Sequence, residues 1–112
     1  MKKDKALALV DPLVLKGICH RGLHNDIYPE NSLGAFNNAI IHNLAFELDI
    51  HLTLDGYLVV CHDSNLLRAT GKDGLIEELT LRKIKEEYQL FDGSEIPTLE
   101  EVIDLNQERV PI

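Results

Sequence analysis

Apolar and polar positions alternate from Ala45 to Leu52, where Phe46, Leu48 and Ile50 interleave with Glu47, Asp49 and His51. That two-residue repeat predicts a strand with two unlike faces. Shorter apolar runs at Leu13 to Cys19 and Tyr57 to Cys61 predict two more strands, which end at His20 and His62. Elsewhere the period is helical. Leu33, Phe36 and Ile40 share one face behind Asn31 or Ser32, either of which caps a helix, and Asn43 closes it. Thr80 opens a short helix whose apolar side is Leu81, Ile84 and Tyr88. Pro97 precedes Thr98-Leu99-Glu100-Glu101, a capping-box pattern that opens a helix carrying Leu99, Val102 and Leu105. Asp55-Gly56 and Gly71-Lys72-Asp73-Gly74 are turns, and Val110-Pro111-Ile112 reads as the opening of a fourth strand.

Strands alternating with helices predict an α/β fold of parallel βα units. Three strands and the start of a fourth are too few to close a barrel. The 112 residues, 45% of them hydrophobic, suffice for one small domain with its own core. A net charge of −8 argues against nonspecific attraction to nucleic acid or an anionic membrane. The basic start Met1 to Lys5 and the apolar Ala6 to Val10 are too short for a signal peptide, and Asp11-Pro12 interrupts them. No run approaches transmembrane length. A cytoplasmic protein with no stable membrane insertion is expected. Cys19 and Cys61 each precede a strand-end histidine, so on a strand they face the opposite way, into packing. Without a C-x-x-C spacing they read as reduced structural thiols.

The polar residues at the strand ends carry the chemistry, since parallel α/β folds place their sites there. Glu47 and Asp49 lie two apart and share a face. Carboxylates held together repel unless a proton or cation sits between them, which makes a divalent metal the economical explanation. His20 and His62, from different strands, are candidates for proton transfer in both directions. Arg21 is a candidate clamp for phosphate oxygens, and with a bound metal it makes the site locally positive in an acidic chain. Asp63 either orients His62 or starts the next loop. Glu30 and Asn31 either brace the site or serve as a helix cap. His51 shares the face of Glu47 and Asp49 but reads as solvated, and His24 and His42 read as loop and surface residues. These parts compose a metal-assisted phosphodiester hydrolase; an iron site using both histidines and one carboxylate is a competing reading.

The chain resembles the glycerophosphodiester phosphodiesterase family. The resemblance rests on His20-Arg21-Gly22, Pro29-Glu30-Asn31-Ser32 with Ala35-Phe36, Glu47-Leu48-Asp49, Thr53-Leu54-Asp55-Gly56 and Val59-Val60-Cys61-His62-Asp63. Leu67-Arg68-Ala69-Thr70-Gly71 and Ile96-Pro97-Thr98-Leu99-Glu100-Glu101 complete the ordered set. It implies the N-terminal part of a TIM (β/α)8 barrel, incomplete in this chain, as one partial domain over 1–112 with a small insertion at 64–96. It implies hydrolysis of glycerophosphodiesters to sn-glycerol 3-phosphate and an alcohol, with Mg²⁺ or Ca²⁺ as cofactor. By motif match His20 and His62 take the acid/base roles, Arg21 contacts phosphate, and Glu47 and Asp49 hold metal. Ser32 stands where the family usually has threonine, and the family's third metal carboxylate falls on the strand beyond Ile112. The implied partner is a small-molecule glycerophosphodiester and not nucleic acid. The alternative is a truncated, inactive fragment that binds a ligand or self-associates through an exposed sheet edge.

Overall fold

The computed structural model describes residues 17–112. Two buried aromatic rings join the first helix to the sheet: Phe36 and Phe46 have centroids 4.8 Å apart and are tilted by 30°. Phe36 lies on α1 (Leu33–Ile41), the crossover between β1 (Ile18–Cys19) and β2 (Ala45–Phe46). The strands pair in parallel, Ile18 opposite Ala45 and Cys19 opposite Phe46, which makes one βα unit as expected. Ser32 is the cap of α1: its Oγ accepts from Ala35 N at 3.0 Å and donates to Pro29 O at 2.6 Å. Beyond the helix Asn43 turns at φ +56°, and Leu44 N donates back to Ala39 O. The N-terminal half of the expected first strand, 13–16, lies outside the described residues, as does the segment read against a signal peptide.

The long alternating segment is not one strand. Its first part pairs with β1, where Glu47 N donates to Cys19 O at 2.9 Å. After Asp49, whose carbonyl accepts from Cys61 N at 3.0 Å, the chain changes partner. β3 (Ile50–Leu52) and β4 (Leu58–Val60) then form an antiparallel hairpin with His51 opposite Val59. This corrects the expectation of parallel units throughout. The link around Asp55-Gly56 is far too short for a parallel crossover. It is tied by Thr53, whose Oγ1 donates to Asp55 Oδ1 and accepts from Tyr57 N.

Four short helical pieces follow: α2 (Leu67–Thr70), a 3₁₀ turn (Ile76–Glu78), α3 (Leu81–Glu87) and α4 (Leu99–Asn106). Thr80 caps α3. The capping box of α4 is formed as its sequence predicts, with Thr98 Oγ1 accepting from Glu101 N at 3.1 Å and Glu101 Oε1 accepting from Thr98 N at 2.9 Å. The expected fourth strand contributes one backbone bond, from Phe46 N to Pro111 O at 3.1 Å, but no ladder.

Successive residues of β4 face opposite ways, so the strand serves two cores. Val60 joins Phe36, Ala39, Phe46 and Val102 on the βα side. Val59 joins Leu66, Ile76, Ile84, Tyr88 and Ile96 on the other. Among the described residues no helix is long and apolar enough to cross a membrane. Gly22 fits where no side chain would: at φ +83° it lies so close to α1 that a Cβ would meet Ala35 Cβ at 2.9 Å. Gly22→Ala is expected to lower the midpoint of urea unfolding sharply, because it combines backbone strain with a clash. Thr98→Ala removes one acceptor from α4 and is expected to cost about 1 kcal/mol in the same measurement.

Candidate active site

The site grows from the turn that follows β1. Gly22 N donates back to Cys19 O, and Asn31 N donates to Arg21 O at 2.8 Å, so the loop returns beside its own start. Arg21 and Asn31 both take left-handed backbone angles, φ +58° and +56°. Non-glycine residues are uncommon there, and such strain concentrates at functional loops. The folded loop places the Arg21 guanidinium between two carboxylates: Nη1 donates to Glu30 Oε2 at 3.0 Å, and Nε lies 3.6 Å from Asp49 Oδ2. Asn31 Nδ2 donates to the same Asp49 oxygen at 3.2 Å. His20, with 64% of its side chain exposed, brings Nε2 to 3.6 Å from Glu47 Oε2.

His62 follows β4. Its Nδ1 lies 2.7 Å from Asp63 Oδ1. Arg68, from α2, donates through Nε to Asp63 Oδ2 at 2.8 Å and through Nη1 and Nη2 to the two oxygens of Glu30 at 2.9 and 3.1 Å. An unbroken run of ion pairs therefore joins Asp49–Arg21–Glu30–Arg68–Asp63, and the hydrogen bond from His62 Nδ1 to Asp63 extends it to the ring. Hydrogen bonds from Arg68, then from His62, pull the Asp63 carboxyl down to about 2. Glu30 is lowered chiefly by its bond to Arg68, with the Arg21 charge assisting. Burial pushes the Cys61 thiol up to about 11, and Cys19 also rises through burial, so neither supplies a thiolate nucleophile at neutral pH.

Both open alternatives from the sequence resolve toward the site. Asp63 does hold the His62 ring. Glu30 and Asn31 brace Arg21, Arg68 and Asp49, while Ser32 alone caps the helix. The expectation of a solvated His51 is corrected: on β3 its Nε2–H donates to the His62 carbonyl at 2.9 Å, because the hairpin register sets it across from β4. His24 is exposed in its loop, and His42 bonds to Asn38 O at the end of α1, both apart from the network. The residue that sequence reasoning missed is Arg68. Its only signal was its place in the Leu67–Gly71 motif.

Glu47 and Asp49 engage different partners, Glu47 facing His20 and Asp49 facing Arg21 and Asn31. Three buried polar atoms here lack hydrogen-bond partners: Glu47 Oε1, Asn31 Oδ1 and Arg21 Nε. A buried acceptor with no donor is costly, and two such oxygens are the hard ligands that a divalent cation prefers. The carboxylates of Glu30, Glu47, Asp49 and Asp63 also outnumber the guanidinium groups of Arg21 and Arg68. The donor chemistry thus fits a hard cation at Glu47. Among the described residues no three histidine, cysteine, aspartate or glutamate side chains converge into a complete metal site, so this chain offers part of a ligand set.

Comparison with known proteins identifies the family. The model of the glycerophosphoryl diester phosphodiesterase family matches residues 20–111. A glycerophosphodiester phosphodiesterase of Caldanaerobacter subterraneus is 40% identical over 95 residues, covering 79% of this chain and 39% of the relative. One from Bacillus altitudinis is 39% identical over 102 residues, covering 84% and 41% respectively. Among solved structures, an Oleispira antarctica phosphodiesterase in complex with the product sn-glycerol 3-phosphate superposes with a TM-score of 0.73 at 32% identity, over 82% of this chain and 40% of that one. The Thermotoga maritima glycerophosphodiester phosphodiesterase reaches 41% identity with a TM-score of 0.63, over 78% of this chain and 37% of its own. The chain spans about two fifths of the length of these relatives. The chain therefore belongs to the glycerophosphoryl diester phosphodiesterase family, with the fold of part of its TIM barrel.

Proposed function

We propose that the site serves the hydrolysis of glycerophosphodiesters to sn-glycerol 3-phosphate and an alcohol, with His20 and His62 as acid and base. The observation that carries this reading is the continuous ion-pair chain joining the loop after β1 to the end of β4. It ties the exposed His62 imidazole to one phosphate-seeking guanidinium, that of Arg21, while His20, from a separate strand, pairs with Glu47. Family membership and the product bound in the Oleispira relative support the substrate class.

Each group has a task that follows from its surroundings. Arg21 is held between Glu30 and Asp49, so it meets a phosphate without first having to order a free side chain. One imidazole takes the proton of the attacking group, and the other gives a proton to the leaving oxygen. Glu47 lies 3.6 Å from His20 Nε2, and Asp63, held ionised, accepts from His62 Nδ1 at 2.7 Å and orients the ring. Glu47 and Asp49 would hold the divalent metal, Mg²⁺ or Ca²⁺, which when bound polarises a phosphoryl oxygen. In a chain of net charge −8, affinity for an anion depends on these local positive charges. Residues 64–96 are read as the family's small insertion. They pack their own core of Ile76, Ile84, Tyr88 and Leu90 on Val59 and deliver Arg68 to the site.

His20→Ala and His62→Ala are each expected to lower kcat on a glycerophosphodiester by about 10²–10⁴, with Mg²⁺ or Ca²⁺ binding by calorimetry retained. Full activity in either variant rejects the acid/base roles, and loss of metal with both favours histidine ligation. Glu47→Gln is expected to weaken metal binding, and unchanged affinity would remove Glu47 from the ligand set.

A further inference from the structure

Arg68 makes bonds out of proportion to its position on a short surface helix. Its side chain is half exposed, where a single ion pair contributes little. Here all three guanidinium nitrogens are used on two carboxylates. Nη1 and Nη2 grip Glu30, while Nε bonds Asp63 Oδ2 at 2.8 Å and Nη2 reaches Asp63 Oδ1 at 3.4 Å. Paired planar contacts of this kind fix the carboxylate plane, which a lysine cannot do.

The fixed carboxylate is also the partner of His62. An ionised carboxylate only accepts, so the 2.7 Å contact to His62 Nδ1 requires that nitrogen to carry the hydrogen. Among the described residues His62 Nε2 has no hydrogen-bond partner. From the other side, His51 Nε2–H holds the His62 carbonyl. The ring is thus braced through its backbone by His51 and through Nδ1 by Asp63, and Asp63 is braced by Arg68. His20 has no equivalent, since it faces Glu47 directly through Nε2.

We infer that Arg68 is a positioning residue: clamped between Glu30 and Asp63, it holds Asp63 so that His62 is kept as the Nδ1–H tautomer and exchanges protons through Nε2. In the proposed reaction no proton leaves the Asp63–Arg68 pair. The proton comes onto His62 Nε2 or departs from it, and the Nδ1–H stays in place. The activity arm of the test below rests on the proposed hydrolysis, whereas the tautomer arm does not.

Ring ¹⁵N shifts of His62 report which nitrogen is protonated. They would be recorded above the histidine titration in the unsubstituted protein, Arg68→Met, Asp63→Ala and the double variant, beside kcat and KM on sn-glycero-3-phosphocholine. The unsubstituted protein is expected to hold the Nδ1–H form, and Arg68→Met to mix the two tautomers. Arg68→Met is expected to lose about 10–100-fold in kcat, the range for removing a partner that orients a functional histidine. The double variant is expected to match Asp63→Ala alone, because Arg68 acts through Asp63. An unaltered tautomer in Arg68→Met, or losses that multiply in the double variant, overturns the inference. If Arg68→Met does not fold, Arg68→Lys, which keeps the charge without the planar fork, takes its place in the same cycle. If the unsubstituted protein hydrolyses nothing, the proposed reaction fails and the ¹⁵N shifts still decide the role of Arg68.

Discussion

The alternation of Val59 and Val60 on β4 is the constraint on which the arrangement depends. One side chain fills the core beneath 64–96, and its neighbour fills the core of the βα unit. Fully burying a side chain of this size is worth about 1.5–3 kcal/mol, so β4 is anchored on both faces and cannot slip register without exposing both cores. The end of a strand fixed in this way is where His62 begins. The position of one imidazole is therefore set by apolar packing on two sides of the residues before it.

A different force organises the loop after β1. Leu23 packs that loop on the core of the βα unit, and the rest of its shape comes from backbone bonds to Cys19, from Asn31 and from ion pairs. Single surface ion pairs contribute little, but in a network each side chain is already ordered by its neighbours when it meets the next. Glu30 receives both Arg21 and Arg68, so the phosphate-seeking residue and the residue behind His62 share one carboxylate. Geometry on one side of the site is in this way passed to the other without any contact between the histidines.

What could be read from the sequence was local. The capping box at Thr98 and Glu101, the cap at Thr80 and the face of Leu33, Phe36 and Ile40 depend on residues within a turn of one another, and all formed. Alternation through 45–52 pointed to one strand with a buried apolar face, but only Ala45 and Phe46 are buried, Ile50 and Leu52 are exposed, and the pattern carried no information on direction or partner. The switch from β1 to β4 and the antiparallel hairpin were for that reason invisible. His51 was misplaced for the same cause, since only the register opposite Val59 brings it to the His62 carbonyl. Arg68 was out of reach of any local rule: its bond to Glu30 joins residues 38 apart along the chain. Motif order identified the family because family motifs record such distant pairings without explaining them.

Cys61 sits next to His62 but turns the other way, 3% exposed within the core that contains Leu66 and Ile84. Its thiol is protonated at neutral pH and shielded from solvent. An alkylating reagent therefore reaches it only when the layer carrying α2 and α3 lifts away from β4. The labelling rate of this one sulfur is a built-in clock for the opening of that layer, which also carries the clamp on Asp63.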